Sequence, residues 1–168
     1  MSEQNVKILK IEDIIDKTQS GDAKKNVLDF LDFLYANNFQ MEYNPNEYYE
    51  TYWSGAIGGV VGDSIGYMAV NGNPGPWNVW FNAFDFDEND FLDDEMKETI
   101  WSKLSACGKC NDGWETCRGG EKTILGKIFD NLCHSPMCFI NPDAKTLENM
   151  KKLLLLLKQK KDNMQRSQ

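Results

Sequence analysis

The sequence predicts an α+β fold, with a small antiparallel sheet (a hairpin around 64–86) packed with about three to four helices. Apolar residues recur at helical spacing near both ends of the chain, and the middle is rich in glycine, tyrosine, valine, isoleucine and tryptophan. A chain of 168 residues with 41% hydrophobic residues suits one globular domain over 1–168.

The first clear helix is predicted from about Ala23 to Asn37. Its apolar face repeats at i, i+3, i+4 and i+7, and comprises Val27, Phe30, Leu31 and Leu34. Asp22 is the predicted cap, and Asn37-Asn38 is the predicted stop, because asparagine tolerates the left-handed conformation. The preceding residues, 6–17, fit either a short strand leading into a helical turn or one helix.

The middle of the chain is predicted to form a hairpin. Ser64 to Val70 is the first strand, 71–76 is a tight connection, and Trp77 to Phe86 is the second strand. Alternation in the second strand places Trp77, Val79 and Phe81 on one face and Trp80 on the other. A helix follows to about Ser105, capped by Asp90 or Asp93, with acids in its first turn.

The last third is predicted to end in a long helix. Thr123 to Cys133 fits a strand or a short helix, and Met137 to Ile140 fits a short strand. Asn141 is the predicted cap of the last helix, with Pro142 at its first position. The buried stripe is predicted to be Leu147, Met150, Leu153, Leu154 and Leu157. Because the leucine run covers more than one helical face, a homodimer through the 147–157 helix is an alternative use of it. The basic tail, 158–168, is predicted to fray.

The charge is unevenly distributed. The net charge is −8, but the segment 26–96, which we call the acidic aromatic block, holds 13 acids, 16 of the 20 aromatic residues and no lysine or arginine. The rest of the chain carries 18 basic residues against 13 acids, a net of +5. This balance excludes a general nucleic-acid binder and disfavours an anionic membrane surface. A positively charged partner is expected.

The N-terminal residues lack the basic and apolar regions of a secretory signal, and no apolar run approaches the ~20 residues that span a bilayer. Five cysteines, an odd number, cannot all pair internally. We expect a cytoplasmic protein with reduced thiols.

Four cysteines have a spacing that suits zinc: Cys107, Cys110, Cys117 and Cys133. Zn²⁺ favours thiolates, and the two-residue gap lets one tight turn direct two sulfurs at the same ion. His134, next to the last cysteine, is a substitute ligand. The alternatives are ordinary thiols and a redox pair of Cys107 with Cys110.

Other motifs depart from their patterns. The run 85–90 begins like a calcium loop, but Asp90 stands where glycine is required and Met96 where glutamate is required, which favours a solvated, helix-capping acidic turn. The glycines of 55–66 do not match a phosphate-binding loop. A single histidine offers little for hydrolytic chemistry, so no catalytic residues are predicted and no enzyme is expected.

The acidic aromatic block suggests a binding site for a small cationic or aromatic molecule, because aromatic ring faces attract cations. Eight residues are predicted to form it: Tyr48, Tyr52, Trp53, Tyr67, Trp77 and Trp80, with Glu50 and Asp63 at its edge. The alternative is that the aromatic residues form the core and the acids the surface.

The segment Gly126 to Cys133, with the preceding cysteines and the following Asn141-Pro142-Asp143, resembles a signature of short uncharacterised bacterial proteins. It is also similar to C-terminal, effector-type segments of some AraC-type regulators. The resemblance implies a small-molecule-binding or sensing domain. The second hypothesis is a zinc- or thiol-stabilised protein-interaction module without a ligand pocket.

Overall fold

The computed structural model describes residues 10–44, 51–60, 63–72, 75–107, 119–132 and 137–167. Its helices are α1 (Ile11–Thr18), α2 (Gly21–Ala36), α3 (Asp94–Ser102) and α4 (Ala144–Arg166). Its strands are β1 (Met41–Tyr43), β2 (Trp53–Ile57), β3 (Gly66–Val70), β4 (Trp77–Phe81), β5 (Gly120–Ile124), β6 (Lys127–Leu132) and β7 (Met137–Ile140). The α+β prediction is confirmed.

The strands form two sheets. The larger has the order β1-β2-β3-β4-β7, and the smaller pairs β5 with β6. The chain divides into two compact units, one of Met1–Val79 with Ile140–Leu147 and the other of Trp80–Phe139 with Glu148–Gln168. We describe each unit by itself.

In the first unit, α1 and α2 bury the apolar positions that periodicity predicts. Ile11, Ile14 and Ile15 are buried on α1, and all four predicted core residues of α2 are buried. The prediction that Asp22 caps α2 is wrong: Ser20 is extended, and its carbonyl accepts from the Lys24 N–H at 3.2 Å. Asp22 instead lies in the first turn, where the helix dipole favours a carboxylate. The predicted stop is confirmed, with Asn38 at φ 54°.

The sheet register of the first unit separates two faces. Antiparallel pairing places Trp53 opposite Val70 and Ile57 opposite Gly66, and these four residues are buried. Because successive strand residues point to opposite faces, Tyr67, which pairs with Ala56, lies on the other face. The predicted hairpin is confirmed in that β3 and β4 are neighbours.

In the second unit, local hydrogen bonds set the element ends. The β4 strand ends at Phe81 rather than Phe86, because the Asp85 N–H bonds the Asn82 carbonyl in a short 3₁₀ helix, Ala83–Asp85. Of the two predicted caps of α3, Asp93 is confirmed: its carboxylate accepts from the Met96 N–H at 2.8 Å.

Residues 120–132 form a hairpin rather than the single strand or short helix predicted around 123–133. Leu125 and Gly126 both have positive φ, 50° and 77°, as a two-residue hairpin turn requires. Leucine rarely adopts this conformation, so the sequence carried only half of the usual turn signal.

The last helix begins two residues later than predicted. Asp143 is its cap, since its carboxylate accepts from the Thr146 N–H at 2.8 Å, so the assignment of Asn141 as cap and Pro142 as first residue is wrong. The predicted stripe is confirmed, with Leu147, Met150, Leu153, Leu154 and Leu157 all buried. The helix continues to Arg166, through most of the segment predicted to fray. Among the described residues, no helix is long and apolar enough to cross a membrane.

Candidate functional site

The strand pleat divides the predicted aromatic site. Trp53 and Trp77 are 4% and 0% exposed, whereas Tyr67 is 40% exposed on the opposite face from Trp53. Trp53 therefore does not stand beside Tyr67 in a common cage. Each buried tryptophan instead has a partner within the first unit.

Trp77 is a core residue. Its ring centroid lies 5.7 Å from that of Phe30, and its Nε1–H donates to the Asn141 Oδ1 at 3.1 Å. The hydrogen bond satisfies the indole donor, which burial would otherwise leave without water. Trp77 thereby uses both its apolar face and its polar atom inside the protein.

Trp53 packs against Tyr43, with ring centroids 6.1 Å apart. Its ring also covers Gly55, where a Cβ would lie 2.5 Å from the Trp53 Cη2 and 2.5 Å from the Glu42 carbonyl oxygen. Glycine at this position is what allows the ring to lie close to the strand.

The outer side of β1–β3 carries the exposed part of the predicted site. Glu42, Ala56 and Tyr67 form one row across the three strands. Because neighbouring strands lie about 4.8 Å apart, the Glu42 and Tyr67 backbones are roughly 10 Å apart. Glu42 and Tyr67 are exposed, while Ala56 between them is buried. We call this row the sheet-face site.

The other predicted ligand residues have different environments. Tyr52 is half-buried, with its ring 2.5 Å from the position that a Cβ of Gly72 would take. Trp80 is half-buried on β4, and Asp63 is exposed, with its N–H donating to the Val60 carbonyl. Tyr48 and Glu50 lie outside the described residues.

The acidic run 85–90 surrounds a lysine. The Lys160 Nζ lies 2.7 Å from the Asp85 carbonyl oxygen, 3.1 Å from the Asp87 Oδ2 and 2.8 Å from the Asp90 Oδ2. Asp90, which departs from the calcium pattern, also accepts from the Asp87 N–H at 2.8 Å. The Lys160 ammonium thus offsets part of the negative charge of this loop. The described residues contain no group of three or more side chains suited to a metal. We call this arrangement the Lys160 clamp.

The contacts within the Lys160 clamp shift the pKa values of its charged residues. The Asn89 N–H, with Lys160, lowers the pKa of Asp87. Partial burial lowers the pKa of Lys160, but hydrogen bonds to Asp90 and Asp87 outweigh it and raise that pKa overall. Burial raises the pKa of Asp85, against the attraction of Lys160. The charged pair of Lys160 with Asp87 is therefore favoured at neutral pH.

Phe91, directly after the clamp, is 98% exposed, while the next residue, Leu92, is buried. Sequence reasoning did not single out Phe91. The signal was present, since an aromatic residue stands among seven acids in 85–95, but burial is not readable from composition.

One cysteine of the predicted zinc site is described. Cys107 is half-buried; its N–H donates to the Asn131 carbonyl and its own carbonyl accepts from the Asn131 Nδ2, both at 3.0 Å. Its Sγ would lie 2.5 Å from a Cβ at Gly119. Cys110, Cys117 and Cys133 lie outside the described residues. The fifth cysteine, Cys138, has a pKa raised to about 11 by burial.

The α4 stripe, whose alternative predicted role is a dimer face, is already buried within the single chain. Its five members are at most 5% exposed, and Leu155 alone in the leucine run 153–157 is exposed. A homodimer through this helix stays a prediction; the exposed large apolar residues that α4 offers it are Leu155 and Met164.

Comparison of the chain with protein-family models, with curated proteins and with solved structures found no match. The resemblance to bacterial proteins and AraC-type segments stays a prediction.

Proposed function

We propose that the protein binds a small, positively charged and partly apolar molecule at the sheet-face site. The supporting observation is that Glu42 and Tyr67 are both exposed in one row of residues across β1–β3. These strands belong to the acidic aromatic block, which contains no lysine or arginine. A carboxylate and a ring face both favour a cation.

The expected affinity is modest. An exposed cation–π contact contributes about 0.5–1 kcal/mol, and an exposed ion pair contributes about 0.2–1 kcal/mol. Trp53 and Trp77 are excluded as direct contacts because both are buried in the first unit. The ligand would therefore lie against Tyr67 and Glu42.

Calorimetric titration with benzyltrimethylammonium, and with its uncharged carbon isostere, tests this proposal. We expect the cation to bind and the isostere to bind several-fold more weakly. Tyr67→Leu and Glu42→Gln should each weaken cation binding roughly two- to fivefold. Tyr35→Leu is the matched control, because Tyr35 is also an exposed tyrosine near an acid, Glu12. Equal affinity of the cation and isostere, or equal effects of Tyr67→Leu and Tyr35→Leu, would contradict the proposal.

The second candidate function is a zinc-stabilised protein-interaction module. The observation that favours it is the position of Cys107, beside Gly119 and hydrogen-bonded to Asn131. In sequence, Gly119 is two residues after Cys117, and Asn131 is two residues before Cys133. The second candidate assigns the thiols of Cys117 and Cys133 to the same ion as that of Cys107. Bound zinc would cross-link three parts of the chain and stabilise the fold.

Elemental analysis and cobalt substitution test this second candidate. We expect about one equivalent of zinc, and a thiolate-to-cobalt absorption band that Cys110→Ser weakens. Cys138→Ser is the control, because Cys138 is outside the proposed ligand set and its thiol is partly buried. Less than half an equivalent after mild purification, or an equal effect of the two substitutions, would remove zinc from the proposal.

A further inference from the structure

Phe91 is fully exposed, and hydrogen bonds of the neighbouring residues hold the backbone on both sides of it. The Asp87 N–H donates to the Asp90 Oδ2 and the Asn89 N–H donates to the Asp87 Oδ1, both at 2.8 Å. Lys160 holds the same two carboxylates. On the other side, Leu92 is buried and its N–H bonds the Asp90 carbonyl at 2.8 Å. The loop therefore presents Phe91 from between two anchored positions.

This preorganisation matters for binding. A side chain on a flexible loop loses conformational entropy when a partner immobilises it, whereas a loop already held by hydrogen bonds loses less. Aromatic residues that enter a partner's pocket are among the side chains that contribute most to protein interfaces. An exposed phenylalanine on an anchored loop has both properties.

The negative charge around Phe91 indicates which kind of partner surface would bind there. The segment 85–95 contains seven acids and no basic residue. Lys160 pairs with Asp87 and Asp90, while Glu88 and Asp94 are exposed on either side of Phe91 in sequence. These acids would attract a basic surface of a partner, both while the two proteins approach and in the complex that they form.

We propose that Phe91 and the exposed acids beside it dock a basic segment of another protein, with Phe91 entering an apolar cleft between lysine or arginine side chains. A second copy meeting this surface with its own 85–95 segment would place seven acids against seven, which like-charge repulsion disfavours. An anionic membrane would be repelled for the same reason. Binding through Phe91 does not require the sheet-face site.

The test measures binding of a labelled amphipathic peptide with leucine along one helical face and lysine elsewhere. The comparison peptide has glutamate in place of lysine. We expect the lysine peptide to bind, Phe91→Ala to weaken it roughly tenfold or more, and increasing salt to weaken it further. Glu88→Gln with Asp94→Asn should flatten the salt dependence while Phe91 remains. Ile128→Ala is the matched control, because Ile128 is an exposed apolar residue, 64% accessible, on β6.

Three outcomes would overturn the proposal. The first is that Phe91→Ala leaves the affinity for the lysine peptide unchanged, or that Ile128→Ala lowers this affinity equally. The second is equal affinity for the glutamate peptide. The third is a protein dimer, detected by sedimentation, that Phe91→Ala dissociates, since a second copy would then cover the surface. Because Phe91 is exposed, its replacement should leave folding intact, which circular dichroism verifies.

Discussion

The strands and the loop of the acidic aromatic block differ in whether their aromatic side chains are buried. In its strands, Trp53 and Trp77 are buried, and Glu42 is exposed on a regular sheet. In the loop that follows, the carboxylates of Asp87 and Asp90 bond backbone groups and Lys160, and Phe91 is left exposed. Similar composition therefore gives a core in one region and a surface in the other. Strand alternation directs every second side chain inward, whereas the loop backbone follows the hydrogen bonds of its acids.

The largest expected difference between the two regions is the cost of removing an aromatic ring. Trp77→Ala should lower the free energy of unfolding by about 3–5 kcal/mol, because it leaves a cavity beside Phe30 and removes the donor to Asn141. Phe91→Ala should change the free energy by less than about 0.5 kcal/mol. Urea denaturation measures both, and similar costs would contradict the contrast.

Removal of the Lys160 charge should have an intermediate effect. Lys160→Met leaves Asp87 and Asp90 close together without their cation, and Asp90 is only 9% exposed. Because the ammonium is partly solvated, we expect a loss on the order of 1 kcal/mol in unfolding free energy. Lys161→Met, one residue along the same helix, is the control. An equal loss in the two variants would mean that the clamp does not stabilise the loop.

The smallest expected effect is the pH dependence of the clamp. The lowered pKa of Asp87 means that its contribution is present above the unfolded value of about 3.9 and is lost as pH falls through the folded value. The raised pKa of Lys160 means that its contribution is present below about 10.4 and is lost as pH rises through the folded value. The difference in stability between the wild type and Lys160→Met should therefore be greatest between these limits. A difference independent of pH would show that the charges are not its cause.

Periodicity located the helices and strands better than local chemistry located their ends. The stripe of α4 is confirmed because burial follows the helical repeat. Trp77, Val79 and Phe81 are buried as predicted, but β4 also buries Asn78, so its burial does not simply alternate. The cap of α2 is Ser20 rather than Asp22, and that of α4 is Asp143 rather than Asn141. Several residues near each helix start can serve as caps, and packing decides among them.

The candidate sites depended on contacts between residues distant in sequence. The run 85–90 is visible as an acidic turn, but its cation, Lys160, lies 70 to 75 residues later, on the last helix. Likewise, the contact of Cys107 with Gly119 and Asn131 needs the β5–β6 hairpin, whose turn at Leu125 gave no strong signal.

The sequence by itself determined the α+β class, the buried faces of the main helices and the concentration of negative charge in 26–96. These properties follow from the period of the backbone and from composition, which are local. The tertiary structure decided that Trp77 is buried and Phe91 exposed, and that Lys160 pairs with two carboxylates of the acidic loop. Burial and ion pairing depend on contacts between side chains that are distant in sequence, and the periodicity of the sequence does not specify those contacts.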